Sequence, residues 1–351
     1  MKKYSLWGED GWLMASSFAG PALILLIGFL ILPLLLAAGV AFTNHQLVSP
    51  QPTQFIGLDN FKRLLSVQVV SIDPLPAVPG EARPHYPSWR QLLVQRPQLR
   101  GYREAFGIEV AGRRIVLSAT DALFYRSLIN TFAFALMVMP LQCGIALGLA
   151  LLVNQRVRGR VIFRTVYFAP VVTSMVVASI VWTFMLNTDR GMINEVLRAI
   201  IGDPNVGPDW LGDRHYALPA IAVMSAWQGA GLQMLIFLAG LQSIGPELYE
   251  AATLMGANAW QRFIYVTLPG LRNTIVFVLV TTTLMALGLF AQVDVMTSGG
   301  PLDSTSTLIY HAVHSGFREQ DVGYGSAIAL VFFMIVLAIS LGQQIMSKGA
   351  K

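Results

Sequence analysis

Six long windows of this chain contain no Asp, Glu, Lys or Arg: Phe18–Phe42, Ser127–Val153, Thr165–Asn187, His215–Pro246, Asn273–Val293 and Val322–Ser347. Each exceeds the roughly 20 residues that an α-helix needs to cross about 30 Å of hydrocarbon. Apolar residues run on without strict alternation, which argues against a barrel of short strands. The pattern predicts an all-α, polytopic membrane protein with six transmembrane helices. Pro33, inside the first window, removes a backbone hydrogen bond and is expected to kink that span.

The segments between the windows set the expected boundaries: residues 1–17 lead in, 18–42 span, 43–126 form a long loop, 127–347 hold five further spans, and 348–351 close the chain. The loop 43–126 is rich in proline (Pro50, Pro52, Pro74, Pro76, Pro79, Pro84, Pro87, Pro97), so no long helix is expected there. Residues 107–117 alternate in part and turn at Ala111-Gly112, which suggests a small hairpin. The loop reads equally as an ordered external segment or as a surface for an extracytoplasmic partner. A second loop, Thr188–Arg214, carries turn signals around Pro204 and Pro208. In the second window, Gly144-Ile145-Ala146-Leu147-Gly148-Leu149-Ala150 places small residues for close helix packing.

Charge adds direction. Hydrophobic residues make up 54% of the chain and charged ones 12%, against about 25% in soluble domains. Lys2 and Lys3, then Arg156, Arg158, Arg160 and Arg164, then Lys348 and Lys351, all fall on one side of a six-span layout. The positive-inside rule makes that side cytoplasmic, with both termini. The net charge of +5 is thereby mostly topology, and no basic stripe with interleaved aromatics suggests nucleic acid. Ala38-Gly39-Val40-Ala41 loosely resembles a signal cleavage site. Phe18–Leu36 is nevertheless longer than a signal-peptide core of about 7–15 residues, so a retained span is expected. The single cysteine, Cys143, lies within a span and permits no internal disulfide.

The loop after the fourth window is the most structured by local rules. Ser243 or Gly245 can cap a helix whose first position suits Pro246. Glu247 and Glu250 favour its positive end. Ala251 and Ala252 present a face almost without side chains. Gly256 suits a left-handed stop. Asn258 with Gln261 forms a capping box for a second helix carrying Phe263 and Leu268 until Pro269. The expected result is a helix–Gly–helix elbow lying along the cytoplasmic surface.

Glu250, Ala251, Ala252, Gly256, Ala257, Phe263, Leu268 and Pro269 together resemble the EAA loop of permease subunits of ATP-binding-cassette (ABC) importers. Phe55-Ile56-Gly57-Leu58-Asp59-Asn60-Phe61 and the run Thr297–Pro301 with Ser304-Thr305 and Gly316-Phe317 resemble segments of the carbohydrate group, the maltose and glycerol-phosphate type. Relatives usually carry an acid at Met255, and the stretch 67–120 is longer here than in relatives of ordinary length. The resemblance implies the type I ABC importer permease fold in a prokaryotic inner membrane. It implies a coupling helix within 243–272 that docks into an ATPase through Tyr249, Glu250, Ala251, Ala252, Met255, Gly256, Ala257 and Phe263. It further implies an ATPase dimer binding ATP and Mg, a second permease subunit, more often a paralogue, and an extracytoplasmic solute-binding protein, all in membrane lipid.

None of the five lysines (Lys2, Lys3, Lys62, Lys348, Lys351) follows a glycine, so the chain lacks a phosphate loop and no cofactor is expected on it. The rival reading is an ion-coupled secondary transporter. Such carriers usually need ionisable groups near the midplane, and only Asp294 lies near a span. A neutral polyhydroxyl solute suits the spans better. The fourth window offers Trp227, Gln228, Gly229, Leu232 and Gln233. Thr282, Met285, Ala286 and Leu289 share one face of the fifth. By the resemblance, Gln228, Gly229, Leu232 and those four positions correspond to sugar-lining positions, with helix packing as the plain alternative. Thr281 and Thr283 are expected to bond back to helix carbonyls. His311 and His314 could face a metal, but no third ligand is evident.

Overall fold

A computed structural model describes residues 9–74, 86–110, 112–155 and 159–348. Lys2, Lys3, Pro76, Pro79, Pro84, His85, Ala111, Arg156, Arg158 and Lys351 lie outside the described residues, as do the side chains of Arg160 and Lys348. The elements in chain order begin with α1 (Glu9–Leu26), α2 (Leu32–Val40), α3 (Asp59–Leu65), β1 (Val67–Ile72), α4 (Trp89–Gln95), β2 (Arg103–Val110) and β3 (Arg113–Ala119). They continue with α5 (Ala122–Asn154), α6 (Arg160–Val172), α7 (Met175–Met185), α8 (Met192–Ile201), α9 (Ala217–Gln242), α10 (Pro246–Leu254) and α11 (Ala259–Arg262). The chain ends with α12 (Leu268–Gly270), α13 (Arg272–Leu287), α14 (Ala291–Met296), α15 (Leu308–Val313) and α16 (Val322–Lys348). Two compact units form, one from Met1–Leu65 with Ala312–Val331, the other from Ser66–His311 with Phe332–Lys351.

In the first unit, Pro33 is absorbed without interrupting the apolar span. A π turn at Ile27–Ile31 joins α1 to α2, and the Leu32 N–H reaches back to Ile27 O. Proline then sits at the start of α2, where its missing donor costs least. Asn60 fixes the exit of this helix. Its buried amide donates to Ala41 O and Thr43 O, both at 2.9 Å. Arg63 bonds Asp321 at 3.1 Å and lies 3.9 Å over the Tyr324 ring. The segment 55–61 is thus a clamp built on Asn60, with Gly57 at φ +61° supplying the turn.

The second unit corrects the all-α expectation. Strands Val67–Ile72, Arg103–Val110 and Arg113–Ala119 form a three-stranded antiparallel sheet in the order β1-β3-β2. The β2–β3 hairpin falls where alternation predicts it, with Gly112 at φ +76°. Strand β1 pairs with β3 from Val67↔Ala119 to Ile72↔Arg114. Val70, Ile72, Leu92, Leu99 and Val116 form a small core beneath α4, which begins with a Ser88–Gln91 capping box. The second predicted loop also holds a helix, α8, stopped by Gly202 at φ +77°.

The main core is α5 against α9. Ala146, Ala150, Ala230, Met234 and Phe237 are buried together. The packing residues of the small-residue run are Ala146 and Ala150. Gly144 and Gly148 face outward, and a Cβ on either would meet nothing within 4 Å. At Gly231 a Cβ would lie 2.4 Å from Tyr167 O, so α6 and α9 need that glycine to approach.

Two expected spans are broken. The third window splits at Thr173-Ser174 into α6 and α7, bent by 99°. Thr173 and Ser174 both take extended ψ values, 136° and 135°, so the helix does not run on through them. The fifth window ends as a helix at Leu287 and resumes as α14, with Gly288 at the break. A 67° bend separates 259–270 from α13. Pro269 does not end its helix, which runs to Gly270 before Leu271 turns. Among the described residues four helices are long and apolar enough to cross a membrane, or up to six if each bent pair is one span.

Candidate functional site

The elbow at 243–272 forms by the caps its sequence prescribes. Gly245 is the N-cap and Pro246 opens α10. Gly256 takes φ +79°. The Ala257 N–H bonds Ala252 O and the Gly256 N–H bonds Thr253 O, each at 3.0 Å. This pair of bonds is the Schellman arrangement that stops a helix on a left-handed residue. Asn258 Oδ1 accepts from Gln261 N at 2.9 Å, while Gln261 Oε1 accepts from Asn258 N at 2.8 Å.

Two contacts hold the elbow shut. The Tyr249 and Thr267 hydroxyls lie 3.0 Å apart. Gly270 sits against Ile244, where a Cβ would lie 2.8 Å from its Cδ1. Phe263 stacks on Trp260 at 5.6 Å between ring centroids. The predicted residues therefore divide. Tyr249 and Phe263 brace the elbow from within, and Ala252 and Ala257 are half-buried. Glu250, Ala251, Met255 and Gly256 form its outer surface. Leu254, absent from the predicted set, is 90% exposed beside Met255 at 88%. Two adjacent apolar residues at a helix stop were the signal for it.

A cavity of about 230 Å³ opens inside the helical core. Phe134, Val138 and Gln142 line it from α5, and Val171 and Met175 from the two sides of the broken span. Ser225, Gln228, Gly229, Leu232 and Gln233 face it from α9. Met285 and Ala286 of α13, Leu289 and Gln292 complete it. Of the predicted path residues, Gln228, Gly229, Leu232, Met285, Ala286 and Leu289 are thereby brought together. Thr282 is not among them. It is buried behind the lining, where its hydroxyl donates to Val278 O at 2.6 Å and accepts from Gln233 Nε2. Thr281 and Thr283 bond back to Phe277 O and Leu279 O, at 2.9 and 2.7 Å. Trp227 points away and packs on Trp182.

Among the described residues, the cavity lining contains no Asp, Glu, Lys, Arg or His. Its polar groups are one serine and four glutamines. Gln228 Nε2 donates to Thr173 O at 3.0 Å, a carbonyl freed by the break between α6 and α7. Gln292 Nε2 reaches Ser225 Oγ at 3.4 Å. Gly229 exists beside Gln142 for space: an added Cβ would lie 2.2 Å from Gln142 Nε2. Gln142 was missed in the sequence, although an uncharged polar residue inside a charge-free window is itself a signal. The two histidines face separate carboxylates. His311 Nε2 lies 2.7 Å from Asp121 Oδ2, and His314 Nδ1 lies 3.4 Å from Glu319 Oε1.

Residues 143–350 match the family model described as binding-protein-dependent transport system inner membrane component. The lactose transport system permease protein LacF of Rhizobium radiobacter is 34% identical over 264 residues, covering 74% of this chain and 86% of that protein. The trehalose/maltose transport system permease protein MalF of Thermococcus litoralis is 33% identical over 226 residues, covering 64% and 75%. Among solved structures, a chain of a bacterial alginate ABC transporter, in complex with an alginate pentasaccharide-bound periplasmic protein, aligns with a TM-score of 0.69. It is 20% identical, with 97% of this chain and 96% of that chain covered.

Proposed function

The chain belongs to the binding-protein-dependent transport system inner membrane components, and from that premise we propose that it is the permease subunit of an ATP-driven sugar importer. Relatives named for lactose and trehalose/maltose transport support the substrate class. The observation that carries the reading is the elbow: a short helix with an alanine face, stopped by Gly256, whose tip offers Leu254 and Met255 to solvent. Burying such side chains against a partner contributes about 1.5–3 kcal/mol each. The partner in this reading is an ATPase dimer, which binds ATP and Mg. A second permease subunit and an extracytoplasmic binding protein complete the assembly.

Each bent helix pair counts as one span in this reading, giving six, with both termini cytoplasmic and 43–126 outside. The cavity between α5, α9 and α13 is the solute path. Closure of the ATPases moves the elbows and opens the path outward; hydrolysis resets it. The ATPase must bind one permease conformation better than the other for ATP to drive this change.

The test is Met255→Cys in a Cys143→Ser background, in the assembled complex. A short bifunctional cross-linker is expected to join this position to the ATPase, and uptake is expected to require ATP. Free labelling of the new thiol by a maleimide, equal with and without the ATPase, would remove the docking role.

A further inference from the structure

We infer that the outer edge of β1 accepts an extended terminal segment of the extracytoplasmic binding protein, taken up as a fourth strand of the sheet. This rests on the reading of the chain as an importer permease, which supplies that binding protein without assigning any role to the edge.

The register fixes which backbone groups face outward. β1 runs antiparallel to β3, and the Thr120 N–H donates to Ser66 O at 3.1 Å just beyond the paired stretch. Bonded and non-bonded positions alternate along an antiparallel pair. Gln68, Val70 and Ile72 therefore exchange bonds with β3, while Val67, Val69 and Ser71 turn their amides and carbonyls away from the sheet. The order β1-β3-β2 makes both outer strands edges, but the two are not alike. β2 carries Arg103, Glu104 and Glu109 and a register shift between Glu104 and Phe106. Arg126 of α5 also covers its Glu104 and Ala105 carbonyls, at 3.1 and 3.4 Å. Charge, irregularity and coverage are the usual protections of an edge. β1, Val-Gln-Val-Val-Ser-Ile, has neither charge nor proline and keeps an unbroken register. Val67 and Val69 are 43% and 69% exposed. A strand of this composition is a template for another.

A groove of about 560 Å³ runs beside this edge. Gln68, Val69 and Ser71 line one side, and Arg96, Gln98 and Leu99 the other. Arg96 Nη1 reaches Ser71 O at 3.4 Å, as the outward direction of that carbonyl requires. The opposite wall decides the occupant. A second copy would bring its own 96–99 wall against this one, so two sheets cannot meet edge to edge. A single extended segment fits between wall and strand, and a chain terminus is free to supply it. From Val67 to Ser71 the edge measures roughly 13 Å at about 3.3 Å per residue, room for about five residues. Alternate side chains of the segment lie beside Val67 and Val69, where Ile115 continues the exposed apolar face, and are therefore apolar. The groove also holds Arg96 and Arg113 against the single Asp73, which favours a carboxylate on the segment. Ordering a terminal segment offsets part of the gain, so the edge acts as a second foothold that raises the affinity of a protein docked elsewhere.

The experiment uses the full importer in lipid nanodiscs with its own binding protein, intact or with either terminal segment removed. Exchange of the Val67, Val69 and Ser71 amides is expected to slow when the intact protein binds, and to keep its free rate with one of the trimmed forms. Val69→Pro removes an outward N–H and no bond to β3, a substitution edge strands tolerate. It is expected to weaken binding about tenfold, with ATP hydrolysis at saturating binding protein kept. Val69→Lys should act the same way by charging the edge, and replaces the proline variant if that does not fold. The trimmed form should bind the wild type about tenfold more weakly and be insensitive to the Val69 variants, because both changes remove one contact. Ile115→Lys places the same charge on the outer face of the central strand and should have a smaller effect. Four results would each overturn the inference: unslowed exchange, unchanged affinity in the Val69 variants, an equal loss from Ile115→Lys, or self-cross-linking of Val69→Cys in a Cys143→Ser background without binding protein. In each case ATP-driven uptake by the wild type leaves the permease reading in place. Uptake that does not require ATP would instead overturn the permease reading itself.

Discussion

Replacing Gly256 isolates the elbow's shape from its contacts. The residue sits at φ +79°, and a Cβ there would meet nothing within 4 Å. Any cost inside the subunit is therefore backbone strain and not collision. Holding an L-residue in the left-handed region costs about 1–2 kcal/mol, most for β-branched side chains and least for Asn. Helix α10 has little to offset such a loss. It is nine residues long and buries none of them, whereas isolated helices shorter than about 12–15 residues are marginal in water. A shift of 1–2 kcal/mol changes the ratio of formed to frayed elbow by about 5- to 30-fold.

The expected order is therefore Gly256→Asn mildest, Gly256→Ala intermediate and Gly256→Val worst. The assay is sugar-stimulated ATP hydrolysis by the reconstituted complex, with amide exchange across residues 246–257 of the same complex as the structural readout. Exchange should rise in that order as stimulation falls. A valine variant with wild-type stimulation and exchange would refute the reasoning. An asparagine variant as impaired as valine, with exchange unchanged, would show that the glycine serves close approach of a partner instead.

Three further substitutions probe the frame. Gly231→Ala forces α6 from α9 at a contact of 2.4 Å and is expected to cost about 1–3 kcal/mol, seen as a lower unfolding temperature of the purified complex. His311→Leu strips the buried Asp121 carboxylate of a 2.7 Å partner; a loss of about 1–3 kcal/mol or more is expected by the same measurement, and an unchanged midpoint would show the pair contributes little. Asn60→Leu removes the donors to Ala41 O and Thr43 O, so amide exchange should quicken across residues 41–45, while an unaltered pattern would mean other bonds hold the exit.

How much the sequence revealed depended on the range of the forces involved. The elbow was legible almost residue by residue, because Gly245, Pro246, Gly256, Asn258 and Gln261 act on neighbours within about four positions. The β2–β3 hairpin was legible for the same reason. Strand β1 was not: Val67 pairs with Ala119, and nothing near Val67 announces a partner 52 positions away. The long spans were visible as charge-free windows, yet their breaks were hidden. Thr173 and Ser174 are uncharged, so the window over α6 and α7 reads as continuous although the chain turns through 99°. That hidden break decides the chemistry of the cavity. It frees the Thr173 carbonyl, which engages the nitrogen end of Gln228 and turns its oxygen into an unpaired acceptor. A continuous third span would spend that carbonyl within its own helix and leave the Gln228 amide free to rotate. The polar arrangement at the cavity wall therefore depends on a backbone irregularity, and only indirectly on the side chains that hydropathy could single out.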